Sequence, residues 1–172
     1  MFFLNYQVAN LSAKEIPVTP AVRFLKEKKA GFVPHIYQYK EKGGTKQTSI
    51  ELNIDEHSVV KTLVMENESG RGMIVLMHGD CEVSTKELAR ACGCKSVQPC
   101  DLQKAMKLTG YQFGGTSPFG TRNALPVYVE ETIVKLDKIF INGGKQGFII
   151  EIEPSVLFLL DDVSEVNVAI KK

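Results

Sequence analysis

The 172-residue chain has almost no excess charge of either sign: 21 Lys and Arg stand against 20 Asp and Glu, a formal net charge of +1. That balance excludes a strongly basic nucleic-acid coat and an acidic solvating tail, although it leaves room for a local basic groove. No apolar run approaches the ~18 residues of a membrane span. Phe2, Phe3 and Leu4 open the chain apolar, but Asn5 breaks the run and no basic segment precedes it, unlike a signal peptide. The expectation is a cytoplasmic protein that does not engage a membrane. Repeats, low-complexity stretches and a Pro/Ser-rich linker are missing as well. The length suits a single domain, given roughly 150 residues for a typical one. A chain of this size buries about two-thirds of its unfolded surface and folds without metal or disulfide.

Metal and catalytic signatures are equally scarce. Cys81, Cys92, Cys94 and Cys100 lack the two-by-two spacing of a zinc site, and the only nearby histidine is His78. They read as reduced cysteines packed as small hydrophobes, with no metal and no cofactor. His35, His57 and His78 sit in no nucleophile motif, and neither a Gly-x-Ser-x-Gly elbow nor a His-Glu-x-x-His pair occurs. An enzyme with this sequence would work through backbone amides, one lysine and a nucleophile carried by the substrate.

What is present is a clear set of elements. Thr19 caps a helix that begins at Pro20 and is expected to stop at Gly31. A strand follows over 32–39, with Pro34 confining it to a sheet edge or a strand start. After a turn at 41–44 comes a short helix over 45–53. Strands over 59–65 and 73–78 form a hairpin around a turn at 66–71. Ser84 and Glu87 make a capping box for a helix ending at Gly93, and Asp101 caps another ending at Gly110. Strands are expected at 125–129, 138–142 and 148–152, a helix at 155–160 and a closing strand at 166–170. Strands and helices do not alternate regularly, so the fold class is α+β with a mixed sheet.

Three features could carry chemistry. Lys61 interrupts Val59-Val60-Lys61-Thr62-Leu63-Val64-Met65, a strand apolar on both faces, as central strands are. A lysine there either reaches a cleft, where it binds phosphate or polarises a carbonyl, or guards an exposed sheet edge. The run Gly110-Tyr111-Gln112-Phe113-Gly114-Gly115-Thr116-Ser117-Pro118-Phe119-Gly120 is neither a Walker loop nor a dinucleotide fingerprint. Its paired glycines permit backbone amides to cradle an anion or a developing oxyanion, or simply make a structural turn. Asn142-Gly143-Gly144-Lys145-Gln146-Gly147 reads as a hairpin turn at Asn-Gly.

Taken in order, Val60-Lys61-Thr62-Leu63-Val64, Thr109-Gly110-Tyr111 with Gly114-Gly115-Thr116-Ser117-Pro118-Phe119-Gly120, and Ile141-Asn142-Gly143-Gly144-Lys145 resemble the YbaK/EbsC family of aminoacyl-tRNA deacylases. That family is related to the editing domain of bacterial prolyl-tRNA synthetase. The likeness runs from about Thr19 to about Asp162, which makes residues 1–18 an N-terminal extension and 19–172 the deacylase-like domain. It implies a single α+β domain with a partly barrel-like mixed sheet. The implied activity is editing in trans, clearing cysteine from tRNA for proline and also acting on cysteinyl-tRNA(Cys). The implied partners are the acceptor end of an aminoacyl-tRNA and prolyl-tRNA synthetase.

By the same resemblance the essential lysine falls on Lys61, a tyrosine on Tyr37 and the amide-presenting glycine on Gly114. Thr62, Gly115, Thr116, Ser117, Pro118, Gly143 and Gly144 would bind substrate. In the cysteine-specific branch the implied mechanism is attack by the substrate's own thiol on its ester carbonyl, releasing a thiolactone; in related editing domains the 2′-hydroxyl of the terminal adenosine or a water fills that role. Editing of another small amino acid such as alanine is an alternative, as is a non-catalytic module that binds a tRNA end or nucleotide. One departure is Glu41-Lys42-Gly43-Gly44, where cysteine-specific members carry a longer segment with a bulky aromatic.

Overall fold

The computed structural model describes residues 15–172. The apolar start at Phe2, and most of the expected N-terminal extension, lie outside the described residues. In chain order the elements are α1 (Pro20–Glu27), β1 (Val33–Ile36), α2 (Gly44–Leu52), β2 (Val59–Asn67), β3 (Gly72–His78), β4 (Cys81–Val83), α3 (Thr85–Cys92) and β5 (Val97–Pro99). They continue with α4 (Leu102–Thr109), β6 (Val127–Glu130), β7 (Ile139–Lys145), β8 (Phe148–Ile152), β9 (Val163–Val166) and β10 (Ala169–Lys171). Short 3₁₀ segments cover Glu56–Ser58, Ile133–Lys135 and Pro154–Leu159.

The main sheet is mixed, in the order β1-β8-β7-β2-β3-β6-β9, with β5 added to β2. The strand β3 shows why β2 and β3 sit at its centre. Ile74 and Leu76 point into one core with Val22, Leu25 and Phe119, whereas Met73, Val75 and Met77 point into a second core with Leu88 and Ala89. A strand buried on both faces needs a layer on each side: α1 covers one face and α3 the other. Each cap read from the sequence is made. Thr19 Oγ1 accepts from Val22 N (3.1 Å), Ser84 Oγ from Glu87 N (3.3 Å) and Asp101 Oδ1 from Lys104 N (2.8 Å).

Several boundaries differ from expectation. Helix α1 ends before Gly31, because Lys29 itself takes the left-handed turn at φ 55° and Ala30 N closes back on Leu25 O at 2.9 Å. The strand expected over 32–39 stops at Ile36, and the segment expected as helix 155–160 is a 3₁₀ turn, Pro154–Leu159. The single closing strand of 166–170 is two strands: β9 runs parallel to β6, and β10 pairs with β4 in a separate two-stranded sheet. The hairpin turn lies not at Asn142-Gly143 but at Gln146-Gly147, since Lys145 pairs with Phe148. Asn142, Gly143 and Gly144 instead form a bulge inside β7.

The sheet has one internal gap. Strand β2 is paired along one edge by β3. On its other edge β7 pairs only at Val59 and Val60, and β5 only at Met65, Glu66 and Asn67. Lys61, Thr62 and Leu63 therefore have no strand beside them there. Val59 O accepts from Gly79 N, whereas Val64 O accepts from Cys100 N, so alternate residues turn their backbone groups opposite ways. Thr62 shares the direction of Val64, and its N–H and C=O face the gap.

Candidate functional site

A cavity of about 280 Å³ opens at this gap, with Lys61, Thr62, Gly114, Thr116, Tyr37 and Asn142 in its wall. Lys61 occupies a central strand, not an edge, and its half-buried side chain reaches the cleft. Its ammonium donates to the backbone oxygen of Cys81, at the start of β4. Burial lowers its pKa, and the neighbouring Lys172 ammonium lowers it further against the opposing pull of Glu82 and Glu56. A partly desolvated cation of this kind interacts more strongly with an incoming anion than one in bulk water.

Thr62 points to the opposite side of β2, where its Oγ1 is buried with no hydrogen-bond partner among the described residues. Orphaned buried hydroxyls are costly and uncommon, and this one lies in the cavity wall. The loop opposite supplies Gly114, at φ 80°. A Cβ there would meet the Tyr39 hydroxyl at 2.6 Å, so glycine is needed both for the backbone turn and for the close approach. Asn142 Nδ2 fixes the Gly114 carbonyl at 3.0 Å, while the Gly114 N–H has no acceptor among the described residues. A held carbonyl with an unbonded amide leaves this loop with a backbone donor on a fixed peptide.

Tyr37 lines the same cavity, and its hydroxyl accepts from Thr48 Oγ1 at 3.1 Å. Lys42, Gly44 and Thr45 bring the turn before α2 and the helix's first residues into the wall as well. Tyr39 and Asn142 also line it. The sequence named neither individually; Asn142 sat within a glycine run that read as a turn, and only the bulge reveals its second role.

Other residues named from the sequence serve the scaffold. Gly115 N donates to Gln112 O at 3.0 Å, so this amide is already occupied. Ser117 is fully buried, and its Oγ accepts from Phe119 N at 3.3 Å. Pro118 lines a different depression with Gly120 and Leu125. The Gly143 carbonyl accepts from Thr19 Oγ1 at 2.5 Å, and a Cβ on Gly144 would strike Tyr111 at 2.8 Å. These two glycines dock β7 against α1 and the Tyr111 ring, away from the cavity. Thr116 alone of this group reaches it.

One group with metal-ligand atoms occurs among the described residues, His57, Asp80 and Cys81, within 4.8 Å of one another. They already satisfy one another. His57 Nδ1 donates to the Asp80 carboxylate at 2.8 Å, and the Cys81 thiol, its pKa raised by burial, lies 3.5 Å from it. His57 stacks on His78 with ring centres 3.7 Å apart. Fully buried, His78 donates from Nδ1 to His57 O and accepts at Nε2 from Thr132 Oγ1. Cys92, Cys94 and Cys100 are free thiols. No helix among the described residues is long and apolar enough to cross a membrane.

The aminoacyl-tRNA editing domain matches residues 43–159, more than half of the chain. The chain is 29% identical, over 143 residues, to EbsC of Enterococcus faecalis, named as a Cys-tRNA(Pro)/Cys-tRNA(Cys) deacylase. That match covers 83% of this chain and 87% of EbsC. It is 30% identical over 116 residues to a proline–tRNA ligase of Thermodesulfovibrio yellowstonii, covering 67% of this chain but only 18% of the ligase. A solved structure described as a trans-editing enzyme for prolyl tRNA synthetase superposes with a TM-score of 0.75 at 20% identity, over 91% of this chain and 99% of that one. The resemblance seen in the sequence and the α+β mixed-sheet fold are thus borne out. The chain belongs to the aminoacyl-tRNA editing domain family.

Proposed function

We propose that the chain edits mischarged tRNA in trans, removing cysteine from the acceptor end of tRNA for proline. The observation that carries this reading is the gathering of Lys61, Thr62, Gly114 and Tyr37 in the wall of one small cavity, beside the unpaired stretch of β2. None of them is an activated nucleophile: Lys61 is engaged as a donor to Cys81 O, and no base lies against the Thr62 hydroxyl. They can hold an ester and stabilise charge on its carbonyl oxygen, but something else must attack.

The substrate's thiol fills that role. Its sulfur bonds to the carbonyl carbon, the ester carbon–oxygen bond breaks, and the terminal ribose oxygen leaves with the proton the thiol gives up. The products are a thiolactone and free tRNA. Lys61 steadies the carbonyl or the terminal phosphate, the Gly114 amide receives the developing oxyanion, and Tyr37 shapes the far wall. Positioning and preorganised charge supply the rate. A synthetase pocket that admits proline cannot strongly reject a similar-sized cysteine, which is why a second site is required.

With 21 bases against 20 acids, the chain has little general hold on a polyanion, which supports delivery of the substrate by prolyl-tRNA synthetase. The test is a deacylation panel of cysteine, alanine and serine on tRNA(Pro). The wild-type protein should accelerate loss of cysteine, and Lys61→Ala should reduce kcat/KM by about 10²–10³-fold, as for removal of one oxyanion donor. Acceleration of alanine alone would reassign the amino acid. No acceleration with any of the three would overturn the editing reading.

A further inference from the structure

The loop that presents Gly114 also presents Phe113, whose side chain has no place in either hydrophobic core. It is 65% exposed, and its ring pairs with no other aromatic ring or cation among the described residues. The backbone beneath it is held on both sides. Gln146 Nε2 donates to Phe113 O at 2.8 Å, and Asn142 Nδ2 donates to Gly114 O at 3.0 Å. The ring is thus carried on a fixed backbone while its own face stays open to a ligand.

Phe113 stands where two cavities meet. One is the cavity of Lys61 and Gly114, and the other is a recess of about 190 Å³ lined by Met65, Pro99, Cys100, Leu102 and Met106. Thr62, Leu63, Phe113 and Thr116 belong to both. Leu102 and Met106, at 58% and 44% exposure, extend the apolar rim of the recess. The lining beside the ring is therefore mostly apolar, with the hydroxyls of Thr116 and the unpartnered Thr62 among its few polar groups. A flat ligand with two apolar faces and a polar edge matches this lining, one face against the exposed ring.

We infer that Phe113 is a stacking platform for an unpaired nucleobase at the 3′ end of the tRNA, held in the recess beside it while the ester lies at Lys61 and Gly114. The inference rests on the editing reading only for the identity of the nucleic acid. Stacking of a base on an aromatic ring gives roughly 5- to 150-fold in affinity. Phe113→Ala and Phe113→Leu should each raise KM for charged tRNA by that factor, more than they lower kcat, and Phe113→Trp should restore it.

The chain contains no tryptophan, so Phe113→Trp also introduces a single reporter at the platform. Its fluorescence should be quenched on titration with the trinucleotide CCA and unaffected by ribose 5-phosphate, which carries phosphate and sugar but no base. Three results would overturn the inference. One is Phe113→Leu matching wild type in KM, which would mean plain apolar contact. Another is equal quenching by ribose 5-phosphate. The third is a change in preference between cysteine and alanine with CCA binding intact, which would give the slot to the amino acid. The fluorescence titration needs no turnover. Quenching by CCA in a protein that deacylates nothing would leave the platform standing and the editing reading fallen. Deacylation without quenching would do the reverse.

Discussion

Lys61 carries its charge under strain from two directions, burial and the Lys172 ammonium. Both disfavour the protonated form, so it deprotonates below the ~10.4 of an ordinary lysine. Activity that needs the ammonium should decline on the alkaline side earlier than that value. Removing one like charge by Lys172→Ala should raise the Lys61 pKa and move the alkaline limb of kcat/KM to higher pH. An unmoved limb in a pH–rate comparison would mean that the limb is not Lys61. At Gly114 the penalty is steric. A methyl group there meets the Tyr39 hydroxyl at 2.6 Å on a backbone at φ 80°, so Gly114→Ala should displace the loop. Activity should fall about 10–100-fold with little change in thermal stability, since Gly114 itself is exposed and the core residues of its loop, Tyr111 and Phe119, lie to either side. Face parity and paired glycines marked Lys61 and the Gly114 loop without choosing between site and scaffold; only the family resemblance singled out Gly114, and the structure puts both residues in the cavity wall. The roles of the companions of Gly114 were not legible. Gly143 meets Thr19 across 124 positions, and nothing in the spacing distinguishes a glycine that presents an amide from one that lets a helix approach.

Elements of the middle of the chain were readable wherever a cap or a two-faced apolar run declared them, and the hairpin of β2 and β3 was read correctly. Strands β4 and β5, three residues each, were missed. Cys81-Glu82-Val83 and Val97-Gln98-Pro99 are too short for a period to show, and only pairing with distant β10 and β2 makes them strands. The turn at Gln146-Gly147 was misplaced because Asn142-Gly143 is the stronger local signal; the register with β8 overrode it. Gly147 is the glycine that this turn requires. It sits at φ 75°, and a Cβ would come within 2.5 Å of the Tyr37 backbone oxygen, which lies on the segment carrying Tyr37 into the cavity. Gly147→Ala should therefore cost about 1–3 kcal/mol by denaturant unfolding and raise KM through Tyr37. A loss below ~0.5 kcal/mol would show that the turn relaxes freely.

Across the whole molecule, two bulk properties follow from particular groups. His78 is buried and desolvated, and its pKa is held below the ordinary 6.5. Its contribution to stability is complete above that value and is lost as pH falls through the depressed folded pKa, because the unfolded chain takes up the proton first. Unfolding free energy should drop as the pH is lowered from 6.5, and His78→Gln should flatten that drop; equal slopes would remove His78 as the cause. Charge balance makes the second prediction. Contact with only one or two phosphates gives a shallow salt dependence, so tRNA affinity should weaken less than about tenfold between 50 and 200 mM salt. A loss of a thousandfold would reveal a broad basic surface.

The lone hydroxyl of Thr62 has a thermodynamic consequence. In the empty protein it is a defect, a buried polar atom that water would have served better. Thr62→Val keeps the branched shape and removes the defect. That variant should melt about 2–8 °C higher than the natural protein while catalysing less well. The cavity would then be an instance of resilience surrendered for readiness: the fold tolerates a small permanent instability so that a partner is already waiting when the ligand arrives.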